Sequence, residues 1–186
     1  MAGSADSPMT LTGFMSAVTA GIKGRLPALK VCELHGGRFD VDELRRLGRQ
    51  APAVFLSALA VPAVQNPGNG QHQMTLQLTA FIVAKDLTGC PRDSAAMNMT
   101  EALLVLLRDQ LWGQAGRCGF PRQLSARNLY SGALDKINTA LWGVSWKQDV
   151  FLGTDIWQGD EPLPREVYAG IEPDTGSGYE ERYERL

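Results

Sequence analysis

His35 and His72 are the only imidazoles in a chain of 186 residues, and Cys32, Cys90 and Cys118 are its only thiols. Metal or thiol chemistry would have to be built from these five. They form no HxH, HExxH or HxxE pattern and no CxxC pair, so their spacing builds neither a zinc site nor a disulfide framework. A cysteine nucleophile would need one of the three thiols beside one of the two histidines. Cys32 falls in a strand-like apolar run and reads as core. Glu33, Asp86 and Asp149 lie in or beside strand-like runs and would serve as acid and base only if the fold brought them together. Singly, at strand ends, they read as solubilising charges. Ser57 and Ser145 lack a GxSxG setting, and no GxxxxGK or GxGxxG loop is present to cradle a phosphate. The sequence thus names no catalytic, cofactor-binding or metal-ligating residue.

Two sets of residues read instead as contact groups. Arg45, Arg46 and Arg49 share a face of one short helix, where they would meet phosphate, solvent or a protein partner. Trp142, Trp146 and Trp157 read as core or interface anchors. A base-stacking platform would interleave cations with the aromatics, and Lys147 is the only one there. Composition excludes a disordered chain, with 44% hydrophobic and 20% charged residues. A pI near 5.7 carries no general basic signal for nucleic acid. Charge is uneven, however. From Thr154 to Leu186 nine acids meet three bases, which leaves that stretch at −6 and the rest of the chain at +4. Such a tail either stays solvated or docks on a neighbour. An odd cysteine count fits a reducing compartment. The first residues lack the basic and apolar regions of a signal peptide, and no apolar run approaches the ~20 residues that span a bilayer.

The elements that must position these residues follow from periodicity. Leu11, Phe14, Met15, Val18 and Ile22 mark one helical face between Thr10 and Arg25, which Pro27 limits. Leu29 to Leu34 reads as a short strand. Asp40 with Glu43 forms a capping box for a helix reaching about Gly48. Ala53 to Val64 and Gln73 to Lys85 read as the arms of a long β-hairpin around the turn NPGNG, with Asn66 and Asn69 at its tip. Thirteen extended residues reach about 40 Å, far beyond the usual five or six. Pro62 marks an edge or a bulge. In the return arm Met74, Leu76, Leu78, Ala80 and Ile82 face a core. The opposite face begins with Thr75, Gln77 and Thr79 and ends with Phe81 and Val83. That switch predicts cover on both sides at the Phe81–Val83 end, by another subunit. Asp93 to Trp112 is the strongest helix, ended by Gly113, Gly116 and Gly119. One short strand is expected near Asn128 to Ser131. In the last strand, Val144 to Trp157, residues Val144, Trp146, Gln148, Val150 and Leu152 oppose Ser145, Lys147, Asp149 and Phe151. The order predicts an α+β fold of two layers, a mainly antiparallel or mixed sheet with a long hairpin and helices packed on one face. The domain spans residues 1–153, and residues 154–186 form an acidic extension.

In this order the return arm LQLTAFIVAKD, the helix RDSAAMNMTEALLVLLRDQLWG and the closing stretch LYSGALDKINTALWGVSWKQDVFLG resemble a family of phage proteins. It is encoded among the head-to-tail joining genes of Mu-like phages and prophages, and was long of unknown function. Its pattern of elements is similar to that of phage tail-terminator proteins. The resemblance covers about Thr10 to Gly153 and leaves out the acidic extension. It implies a structural protein of the virion that forms a hexameric ring at the head–tail junction. The ring would be assembled in the host cytoplasm, cap the tail-tube protein and offer a surface to a neck or head-completion protein. DNA would pass through the lumen without specific binding. No enzyme activity, cofactor or membrane is implied. Subunit-joining surfaces would come from Arg45, Arg46, Arg49, Asn66, Asn69, Phe81, Val83, Phe151 and Trp157. The other readings are a neck or head-completion protein, a small enzyme, and a nucleic-acid-binding module.

Overall fold

The computed structural model describes residues 9–37, 41–129 and 132–155, with the backbone of 168–169 and 184–185. Contacts divide the chain into one unit from Met1 to Thr154 and another from Asp155 to Leu186. The first unit holds helix α1 (Leu11–Arg25), strand β1 (Val31–Leu34), helix α2 (Val41–Gly48) and the hairpin strands β2 (Ala53–Gln65) and β3 (His72–Ala84). Helix α3 (Arg92–Leu107), strand β4 (Arg122–Asn128), a four-residue α4 (Gly132–Asp135) and strand β5 (Ala140–Leu152) complete it. In the second unit, β6 (Tyr168–Ala169) pairs antiparallel with β7 (Glu184–Arg185).

Five strands of the first unit make one sheet in the order β1-β2-β3-β5-β4. Only β1 and β2 run parallel; every other pair is antiparallel. The expected α+β class is therefore the one found, with a mixed sheet. Strand β3 is central and pairs with β5 without a break from His72↔Leu152 to Ala84↔Ala140. Alternation along β3 and β5 fixes the faces, because successive side chains point to opposite sides. Leu76, Leu78, Ala80 and Ile82 join Val144, Trp146 and Val150 in the main core, as expected. Phe14, Val18 and Ile22 of α1 and Leu103 and Leu107 of α3 cover them.

Each helix follows a local signal. Thr10 accepts the Gly13 N–H at 3.1 Å and caps α1, while Lys23 and Arg25 sit in its last turn, where cations favour the dipole. Asp86 accepts the Arg92 N–H at 2.9 Å at the start of α3. That helix ends at Leu107, five residues earlier than its periodicity predicts. Trp112 instead takes a left-handed backbone (φ 54°) and folds its indole against Gly21 of α1. A Cβ at Gly21 would lie 2.6 Å from that ring. The proposed capping residue Asp40 lies outside the described residues.

Among the described residues, the second face of the sheet is covered at one end only. Leu44 and Leu47 of α2, with Leu134 of α4, close over Ala53, Phe55, Phe81, Val83 and Leu141. Cover at the Phe81–Val83 end thus comes from the same chain, where the sequence pointed to another subunit. The expected strand at Asn128 to Ser131 lies earlier, at Arg122–Asn128, and the last strand ends at Leu152.

Candidate interaction surfaces

None of the groups that opened the sequence analysis converges on a reaction centre. Glu33 lies on β1, while Asp149 and Asp86 lie towards opposite ends of the sheet. Asp149 accepts the Thr75 hydroxyl and pairs with Arg122, so it serves the cross-strand surface. Burial pushes the Cys32 thiol up to about 11 and raises that of Cys118 as well, which keeps both protonated near neutrality. His35 donates from Nε2 to Glu43 at 3.0 Å and accepts the Gly37 N–H at Nδ1. Glu43 also takes a two-pronged contact from Arg46, at 2.7 and 2.9 Å. Arg46 first, then His35, holds the Glu43 carboxyl down to about 2. Among the described residues no three of His, Cys, Asp and Glu gather to hold a metal ion, and no described helix is long and apolar enough to cross a membrane.

A hydrogen-bonded clamp built from Gln148 was missed by sequence reasoning. Its side chain is fully buried. Its Oε1 accepts both the Trp112 and Trp146 indole N–H groups, at 3.1 and 3.2 Å. Its Nε2 donates to the Gln110 and Gly119 carbonyls, at 3.2 and 2.8 Å. One amide thereby ties the 110–119 loop to β5. A glutamine in the apolar phase of a strand was the available signal, since a buried amide requires partners.

The open part of the second face carries a trough of about 350 Å³. Its floor includes the hydroxyl pair Thr79 and Ser145, 2.8 Å apart, with Gln77 beside it. Leu59, Phe81 and Arg127 form walls. Across the sheet, on the helical side, Met97, Leu104, Val105, Ala126 and Trp142 line an apolar groove of about 320 Å³ between α3 and β4.

Strand β2 changes character along its length. Ala53 to Ser57 are buried, and every residue from Ala58 to Gln65 is exposed. The reason is pairing. Strand β1 reaches only from Ala53 to Leu56, so the outer half of β2 forms a sheet edge. Leu59, Val61 and Val64 stand there 48%, 43% and 57% exposed. Register shifts interrupt its ladder with β3 at Ala58–Ala60 and Ala60–Ala63. Pro62 has no N–H to offer.

The residues assigned to subunit joining distribute unevenly over this geometry. Asn66 and Asn69 shape the hairpin tip: Asn66 accepts the Gly68 N–H at 3.0 Å, and Asn69 accepts the Gln71 N–H at 3.1 Å. Val83 is wholly buried beneath α2 and Leu134, and Phe81 keeps only a sliver of its ring on the trough. Neither supplies the broad apolar face that was expected of them. Arg45 pairs with Asp42 and Arg46 with Glu43, one turn away on the same helix, and Arg49 is exposed. Phe151 is half-buried, opposite Gln73 on β3. Trp157 lies outside the described residues. Leu59, Val61 and Val64, which sequence reasoning placed in a strand without singling them out, are exposed apolar residues, as are Leu34, Leu87, Met97, Val105 and Phe120.

The chain is similar to a Mu-like prophage protein. It is 30% identical over 117 residues to Mu-like prophage FluMu protein gp37 of Haemophilus influenzae, a match covering 62% of this chain. The matched part spans 57% of the length of that relative. No protein-family model matches the chain.

Proposed function

We propose that this chain is a structural protein of a Mu-like phage particle, the tail terminator. It forms a ring, hexameric on the family resemblance, that caps the tail tube and presents a surface to the neck or head-completion protein. It is assembled in the host cytoplasm and resides at the head–tail junction of the virion. DNA passes its lumen without specific binding, which a net charge of −2 fits better than a clamp would. The proposed role is non-enzymatic.

The observation that carries this reading is the similarity to a Mu-like prophage protein over 117 residues. The fold supports it. A sheet with thirteen-residue strands and an uncovered apolar edge suits a protein whose work is to join others. The test is to mix purified full-length chain with tail tubes, measure its mass and image the tube ends. Rings seated on tube ends and arrested tube growth are expected. A chain that stays monomeric and never binds a tube end overturns the reading. Binding only to capsids that lack tails would move it to the neck.

A further inference from the structure

His35 follows the last residue of β1, and each of its ring nitrogens already has a fixed role. Nε2 lies 3.0 Å from Glu43 Oε1, and Arg46 binds both oxygens of that carboxylate. A carboxylate only accepts, so Nε2 carries the proton. Nδ1 lies 3.0 Å from the Gly37 N–H, which only donates, so Nδ1 presents its lone pair. The ring is thereby held as one neutral tautomer. Its backbone is tied separately. The His35 N–H donates to the Leu56 carbonyl at 2.8 Å, and the Ser57 hydroxyl donates to the His35 carbonyl at 2.8 Å. Gly37 takes a left-handed backbone (φ 80°), and a Cβ there would lie 2.8 Å from the Leu59 side chain. The turn that Nδ1 closes therefore lies against β2 where that strand becomes exposed.

From this geometry we infer that His35 is an acid-operated latch: a second proton on its ring opens the Gly37 turn and keeps the tie to α2. Imidazole is the side chain that gains charge in mild acid. Here the second proton has one place to go, Nδ1, where it meets the Gly37 N–H donor to donor. The turn must then release. At Nε2 the opposite holds. Its N–H already points at Glu43, and the added charge turns a hydrogen bond into an ion pair, the stronger kind. Glu43 stays a carboxylate throughout mild acid, because Arg46 first and then His35 hold it down to about 2. The charged groups near the ring are Glu43 and Arg46 of α2, with Glu33 of β1 close enough to act on Arg46. Strand β2 brings the Phe55 ring and the Ser57 hydroxyl, which carry no charge. Arg38 and Asp40, next along the chain, lie outside the described residues. Surrounding charges set the pH of the step, and they do not change which nitrogen receives the proton. Because α2 lids the core over Phe55 and Phe81, the lid stays docked in acid while the turn beside Leu59 lets go.

The test is a pH titration of the nitrogen-15-labelled full-length chain by nuclear magnetic resonance. At neutral pH the His35 ring should show a bare Nδ1, a protonated Nε2 and a scalar coupling from Nδ1 to the Gly37 amide. In acid that coupling should be lost, and the Gly37 amide shift should follow the His35 ring with one midpoint. His72, exposed at the start of β3, is the imidazole control. His35→Asn puts an acceptor oxygen where Nδ1 stands, in the Asx-turn arrangement, and takes up no proton. It should keep the Gly37 turn and reduce the acid shift of the Gly37 amide at least ten-fold. Glu43→Gln should leave that shift in place, because the proton still arrives at Nδ1. A ring protonated at Nδ1 at neutral pH overturns the inference, as does one that takes no second proton while the protein stays folded. So does a Gly37 amide that ignores the His35 titration, or one that responds equally in His35→Asn.

Discussion

The two halves of β2 differ little in composition and completely in environment. Ala53, Val54, Phe55 and Leu56 have no exposed surface, whereas Leu59, Val61 and Val64, a few residues on, stand about half exposed. Hydrophobicity along the strand does not produce that difference. Neighbours do. The inner half has β1 on its flank, α1 and α3 beneath and α2 above. The outer half has β3 alone among the described residues. An apolar residue is buried by what the topology carries over it, and where the described topology carries nothing, the same residue type stands exposed.

Substitutions can break or sharpen this contrast. The largest effect is expected for Phe55→Ala in the inner half, which should cost about 3–5 kcal/mol in urea unfolding, because a cavity remains beneath α2. Gln148→Leu should come next, at about 2–3 kcal/mol. It strips two buried indole N–H groups of their acceptor and strands two carbonyls. Near-unchanged stability in that variant would mean that the 110–119 loop is held by other contacts. Gly21→Ala should cost about 1–2 kcal/mol and alter near-ultraviolet circular dichroism, since Trp112 must give way. In the outer half Val61→Ala should stay within about 0.5 kcal/mol of the parent, as exposed positions do. A Val61→Ala cost near that of Phe55→Ala would erase the contrast.

The smallest effect concerns acid. The folded Glu43 carboxyl, held near 2, lies below its unfolded value of about 4.3. Its contribution is therefore present above the unfolded value and fades as pH falls from about 4.3 towards 2. Glu43→Gln should flatten that part of an acid-unfolding curve, and a curve unchanged by the substitution would show that Arg46 and His35 find other partners.

The legible parts of the fold were those where one face is wet and the other dry. Strands β3 and β5 alternate, so their inward residues could be read directly, and α1 showed a five-residue stripe. Strand β4 could not be read in this way. Its sequence RQLSARN leaves six of seven residues exposed, so no alternation marks it. The end of α3 was misplaced because Leu111 continues the helical period while packing on the core from a turn. The lid of α2 and α4 over Phe81 and Val83 escaped because it joins segments distant in the chain. An apolar switch in a strand announces cover, and it does not say whose. The exposed outer half of β2 proved hardest to see. Leu59, Val61 and Val64 look like core in a sequence, and only the shortness of β1 leaves them outside.

The unbroken ladder between β3 and β5 has a mechanical consequence. Thirteen residues of each strand lie in register across the middle of the sheet. A pull along the strands would load all of their hydrogen bonds together, so none gives way before the rest. A pull across the sheet, from the β2 edge to the β4 edge, would instead strain one seam at a time. The β4–β5 seam, with five registered pairs and a register shift of its own, would part before the longer β2–β3 seam. The sheet should therefore resist a pull along its long hairpin better than a pull across it.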